Sequence, residues 1–208
     1  MDIATYGVGI FTPTLLAAIA ASGADSSFIA DDISATVGTA VLDVFLVIGF
    51  VIAISAVERV GRVPLQVTGF AVMTLALCIL GLSERLDGGG DEHLGMVIVG
   101  FALFNTFMNL GPNATTYALP AEVFPSEIRA AGHGFAAASA KLGAALGVFL
   151  FPILLDDIGA ATLLFIVAGA CFVGMLVTIA FRIEPRGRSL EEISAPELSA
   201  LRVRVTPA

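Results

Sequence analysis

Six stretches of this chain are apolar for long enough to cross ~30 Å of hydrocarbon, which takes about 20 helical residues each. Bounded by charged interruptions, they run approximately from Met1 to Ala21, Ala35 to Val57, Pro64 to Leu82, Leu94 to Leu119, Ala130 to Leu155 and Gly159 to Phe181. None alternates as a membrane strand does, and unpaired backbone is costly in lipid, so each is predicted to be a helix. The expected fold is an all-α membrane protein: six transmembrane helices over residues 1–181, arranged as two three-helix repeats, and a polar tail over 182–208. A short amphipathic helix around Leu190 to Leu201 is expected in the tail.

Composition agrees, since 57% of the residues are hydrophobic and only 13% charged, against about a quarter charged in soluble domains. Acidic residues outnumber basic ones 18 to 10, which excludes a basic nucleic-acid footprint. The connections after the second and fourth stretches and the tail hold Arg59, Arg62, Arg129, Arg182, Arg186, Arg188, Arg202 and Arg204, whereas the alternate connections hold only Arg85. Basic loops stay cytoplasmic, so both termini are expected there. The small residues of Ala17 to Ala24 have the spacing of a signal-peptide cleavage site. Against that reading stand the lack of a basic start, Asp2 and Pro13 within the stretch, and the five crossings that cleavage would leave. Cys78 and Cys171 lie in apolar stretches and read as small buried hydrophobes; no metal-ligand spacing or cofactor motif is present.

Ionisable groups at bilayer depth are costly, which makes each a functional candidate. Asp2 and Tyr6 are four apart on one face of the first helix. Asn105, Asn109 and Asn113 form a polar stripe on the fourth, with Thr116 beside it; such a stripe either lines a cavity or bonds helix to helix. His133 and Lys141 share a face of the fifth, His133 as a cavity group or an interfacial one. Asp43, about 12 Å in from the outer end of its helix, reads rather as locally paired or close to the wet surface. Lys141, the only lysine, lies ~16 Å along its helix, too deep to snorkel with ease. Gly7, Gly9 and Pro13 in the first helix and Gly111 and Pro112 in the fourth interrupt corresponding positions of the two sets of three, as in many transporter sites.

The run "GPNATTYALPAEVFPSEIRAAGHGFAAASAKLGA", Gly111 to Ala144, resembles the helix-ten to helix-eleven signature of the major facilitator superfamily, and more narrowly its phosphate:proton symporter family. "ERVGR" at Glu58 to Arg62 and "RGRSLEEI" at Arg186 to Ile193 resemble that superfamily's loop after helix eight and the tail motif of its sugar-porter-like branches. The resemblance implies the C-terminal six-helix half of such a carrier, in the plasma membrane, with inorganic phosphate and protons as partners. By motif it assigns substrate binding to Asp2, Tyr6, Asn113 and Lys141. Lys141 supplies charge, Tyr6 and Asn113 supply donors, and Asp2 accepts a hydrogen bond from a protonated phosphate. A fully deprotonated oxyanion meets only repulsion at Asp2, which favours phosphate over sulfate.

Family members carry twelve helices, and this chain matches only the second six. Met1 therefore falls inside what resembles helix seven, a truncated helix with Asp2 near the midplane, and a separate six-helix N-terminal half is an expected partner. Glu58, Arg59, Gly61 and Arg62 resemble a cytoplasmic gating loop, and Glu122 with Arg129 a similar gating pair; topogenic anchoring by the arginines is the plain alternative. A sugar or organic-acid carrier fits less well, because sugars are commonly held against aromatic faces and the chain has no Trp and two Tyr. A non-transporting membrane subunit is the reading from another class, and an enzyme is not expected because no nucleophile-base or metal motif occurs.

Overall fold

A computed structural model describes residues 1–10, 12–13, 28–86 and 92–187. Every regular element among them is helical: α1 (Asp2–Ile10), α2 (Phe28–Val60), α3 (Arg62–Arg85), α4 (Leu94–Val123) and α5 (Arg129–Ala180). Four of them hold segments long and apolar enough to cross a membrane, namely Thr36–Val60 of α2 and the whole of α3, α4 and α5. The six expected spans thus correspond to four such helices among the described residues, because two spans run together in α5 and the first is described only over its opening turns. The small-residue run at 17–24 and the tail beyond residue 187 lie outside the described residues.

The 52 residues of α5 would make a straight rod of ~78 Å, more than twice the hydrocarbon thickness. Gly159 interrupts it with φ 77° and ψ 163°, a backbone region that glycine enters without steric cost. The arm before it, 129–158, starts where Gly132 packs on the Phe124 ring. The arm after it, 160–180, leads to Glu184, which accepts hydrogen bonds from the first amides of α3. Arg62, at that end of α3, also holds Glu122 at the end of α4, so both arms of α5 have their outer ends on one side and the chain reverses at Gly159.

Pro64 lies in the first turn of α3, where a missing N–H leaves no bond unmade. Pro112 is internal to α4, and the helix accommodates it by widening to a π turn over Asn109–Asn113. That wide turn is nested against glycines: a Cβ on Gly69 would overlap the Pro112 ring, and one on Gly111 the Leu65 carbonyl. Gly49 of α2 likewise lies against the Thr106 carbonyl. Small residues of this kind let backbones approach where lipid supplies no hydrophobic force between helices. Around them Phe101, Phe104, Met73, Leu77, Leu80 and Leu164 are fully buried, while Val51, Phe149 and Val173 point outward as lipid-facing side chains do.

A polar bond joins α4 to α2 within this packing: the Asn105 amide donates to the Leu42 carbonyl at 3.2 Å. Asn105→Leu is therefore expected to destabilise the bundle by about 1 kcal/mol, read as earlier unfolding in detergent, with no change in any ligand effect.

Candidate functional site

The opening turns of α1 lie along the first arm of α5 in the same direction. Gly143 and Gly147 face Ile3, and Gly7 faces the Phe151 ring. A Cβ at Gly147 would come within 2.9 Å of the Ile3 carbonyl oxygen, so this contact requires glycine. The register brings Asp2 and Tyr6 to the level of Lys141, about 18 Å along the arm from Arg129.

Three of the four residues assigned to substrate binding meet there. The Lys141 ammonium donates to the Tyr6 hydroxyl at 2.7 Å and lies 3.4 Å from Asp2 Oδ2. It also stands 4.5 Å from the centre of the Tyr6 ring, within cation–π range. The two ends of the ion pair differ in access, since the Asp2 side chain is 3% exposed and that of Lys141 is 49% exposed. The carboxylate is fixed inside the bundle, and the ammonium keeps an open side from which an anion can approach.

Asn113, the fourth, donates its amide to Asn109 Oδ1 at 2.7 Å, and Asn109 donates to the Asn105 carbonyl at 2.9 Å. Asn105 and Asn109 are buried and do not line the cavity described next; their amides are spent on helix packing, because each finds an acceptor within reach on its own or the neighbouring helix. The stripe of which they are part continues one turn further, to Tyr117, whose phenol is the second to interact with the Lys141 ammonium. Extending the spacing of 105, 109 and 113 by four residues would have found it.

A cavity of about 400 Å³ opens beside Asp2, lined among others by Gln66, Phe70, Thr116, Ser139 and Thr178. Of the predicted cavity residues Thr116 is present, with its hydroxyl bonded to the Pro112 carbonyl. Gln66, joined to Thr115 at 3.3 Å, carried no signal in the sequence beyond being a polar residue near a helix start. His133 lies apart from the cavity lining, partly buried, with its Nδ1 unpartnered.

At the arginine-bearing end, Arg62 holds Glu58 at 2.6 Å and Glu122 at 2.8 Å. The expected Glu122–Arg129 pair is not what the structure forms: Glu122 turns to Arg62, and Arg129 Nε donates to the Phe124 carbonyl at 3.1 Å. The tight turn between α4 and α5 leaves that carbonyl unbonded and closer to hand. Gly61 adopts φ 105°, the region glycine favours, and packs on the Glu184 carboxylate. Glu184 accepts from the Arg62 and Val63 amides at 3.1 and 2.8 Å, so it caps α3 with the charge its N-terminus favours. Arg59 contributes its carbonyl to Arg186. Glu184 was missed in the sequence, where it precedes the recognised tail motif by two residues. Among the described residues no group of three or more His, Cys, Asp or Glu is arranged to hold a metal ion.

Comparison with known proteins gives a consistent picture. The model of the family described as "Sugar (and other) transporter" matches residues 15–196. "Probable inorganic phosphate transporter 1-6" of Arabidopsis thaliana is 38% identical over 147 residues, covering 70% of this chain and 28% of that protein. "Inorganic phosphate transporter 1-2" of Oryza sativa subsp. japonica is 38% identical over 157 residues, covering 70% and 29%. The chain thus spans under a third of the length of these relatives. In fold it is similar to the major facilitator superfamily proton:xylose symporter XylE bound to 6-bromo-6-deoxy-D-glucose, with a TM-score of 0.75 and 22% identity over 97% of this chain and 40% of that one.

Proposed function

We propose that this chain, which belongs to the sugar (and other) transporter family, is the second six-helix half of a carrier that moves inorganic phosphate together with protons. As a member of that family it is a multi-pass membrane protein and a transporter, not an enzyme. The six crossings, as two repeats of three helices, include the first stretch and both arms of α5. By the distribution of arginine the end that holds Arg62, Glu122 and Glu184 faces the cytoplasm of a cell bounded by this plasma membrane, and both termini lie on that side.

The observation that carries the reading is the lone lysine at helix mid-depth, half exposed, with a buried carboxylate and a phenol on its inner side. An ammonium held this way keeps its charge inside the bilayer and offers it to an oxyanion, which binds as a point-charge partner. Hydrogen phosphate carries a proton that it can donate to Asp2; sulfate at neutral pH carries none and meets the carboxylate as like charge. Tyr6 supplies an O–H to a phosphate oxygen once the anion takes over the ammonium. Asn113, one turn before Tyr117, is proposed to close the site from α4 by rotating its amide away from Asn109. The Arg62 cluster is proposed to act as a gating latch among the ends of α2, α3 and α4. A sugar carrier is less well supported, since the Tyr6 ring lies against the ammonium and that face is not free to stack on a sugar.

A six-helix first half, supplying the opposing wall of the carrier site, is the proposed partner. Co-expression of the two in cells lacking phosphate carriers should restore uptake of labelled phosphate that stops when a protonophore collapses the proton gradient. Uptake of xylose or glucose in its place would favour the sugar reading, and association of the two halves without uptake of any solute would favour a non-transporting subunit.

A further inference from the structure

Tyr117 meets the Lys141 ion pair but is given no task by the site above. It lies one turn beyond Asn113 on α4, is 44% exposed, and its phenol interacts with the Lys141 ammonium. Tyr6 reaches the same ammonium from α1 at 2.7 Å, and Asp2 lies 3.4 Å from it. An ammonium has three protons to give and accepts none, whereas a phenol has one proton and can also accept. With Tyr6, Asp2 and Tyr117 about it, the three protons of Lys141 face three acceptors. Each phenol, turned to the cation by its oxygen, must aim its own O–H elsewhere, and neither donates to a protein group among the described residues.

An oxyanion that comes to Lys141 must therefore displace one of the three acceptors. The Asp2 side chain is 3% exposed and Tyr6 is partly buried, so Tyr117, the most exposed of the three, is the one that stands on the approach. Once it no longer accepts from the ammonium, its O–H is free to turn onto the anion, and the oxygen that steadies the empty cation becomes a donor to the occupied site. Four groups from three helices then face the anion: Lys141 of α5, Tyr6 of α1 and Tyr117 of α4 as donors, and Asp2 of α1 as acceptor of the anion's own proton. A tetrahedral anion has four corners. Only one that carries oxygen at every corner satisfies all four groups.

We infer that the Tyr117 hydroxyl is a specificity-determining donor that touches the substrate, restricting the site to the free four-oxygen anion and disfavouring phosphonates, whose carbon corner leaves this hydroxyl unpaired. The inference rests on the phosphate reading of the Lys141 site and adds to it which phosphorus compounds the site accepts.

The test titrates the full chain in detergent with inorganic phosphate and with methylphosphonate, and takes each affinity from the ligand's effect on the thermal midpoint. The parent should bind phosphate about tenfold more tightly than methylphosphonate, the worth of one hydrogen bond to a charged group. Tyr117→Phe removes a single oxygen from an exposed side chain and should leave the midpoint without ligand unchanged. It should weaken phosphate by that same factor, leave methylphosphonate as it was, and so erase the preference between them. A variant that binds phosphate as tightly as the parent would overturn the inference. So would one that weakens both ligands alike with the preference intact, which would make Tyr117 a support for the ammonium and no contact of the substrate. In both cases the parent still responds to phosphate and the phosphate reading stands; a parent that ignores phosphate would end that reading and this inference together, so the two failures are told apart.

Discussion

Lys141→Ala should abolish every effect of phosphate on this protein. With phosphate at a hundredfold its Kd, the parent is expected to melt roughly 5–10 °C higher than without it, while sulfate and glucose leave the midpoint unchanged; the alanine variant should show no shift with any of the three. The substitution has a second consequence, because Asp2 is 3% exposed and would be left as a buried carboxylate without its cation, which lowers stability. Lys141→Ala combined with Asp2→Asn should recover the basal midpoint and still ignore phosphate. That combination separates a lost ligand from a damaged fold. Lys141→Arg keeps the charge but replaces a compact point donor by a planar fork, and should retain only a reduced shift.

The second large effect concerns the π turn. Gly69→Ala would drive a Cβ into the Pro112 ring and against the Phe107 carbonyl and Gly111 Cα, none of which is the end of a flexible side chain. Overpacking of this kind costs about 1–3 kcal/mol and sometimes more, and here it also pushes on the turn that orients Asn113 and Tyr117. Gly134→Ala is the control: nothing lies within 4 Å of its Cβ position, and alanine in a helix interior gains about 0.5–1 kcal/mol over glycine. Thermal unfolding of the two variants in one detergent should move in opposite directions.

The apolar stretches were legible because span length and charge interruption are one-dimensional signals, as were Asp2, Tyr6 and Lys141, whose polarity stands out against their surroundings. Partners were not legible. Asn105 and Asn109 were visible as a stripe, yet periodicity states which face a residue occupies and not what covers it, and α2 covers Asn105 while the helix itself satisfies Asn109. Glu122 was paired with Arg129 by resemblance, whereas the antiparallel course of α3 and α4 brings it to Arg62, sixty residues away. Glu184 and Tyr117 were overlooked for the same reason: one acts on a helix end more than a hundred residues distant, the other across a helix–helix contact that the sequence does not specify. The charges of Asp156 and Asp157 marked a gap between the fifth and sixth stretches, but Gly159, where the backbone leaves the helical region, was taken as the first residue of the sixth.

The presence of a single lysine makes one measurement especially direct. Acetylation of the native chain with a water-soluble active ester, followed by mass spectrometry of the peptide that holds Lys141, reports whether the ammonium is reached from water and whether an anion shields it. Slow modification that inorganic phosphate suppresses and equimolar sulfate does not is the predicted result. An amine that never reacts in the folded protein, or one that reacts at the same rate with and without phosphate, would contradict an oxyanion site at Lys141.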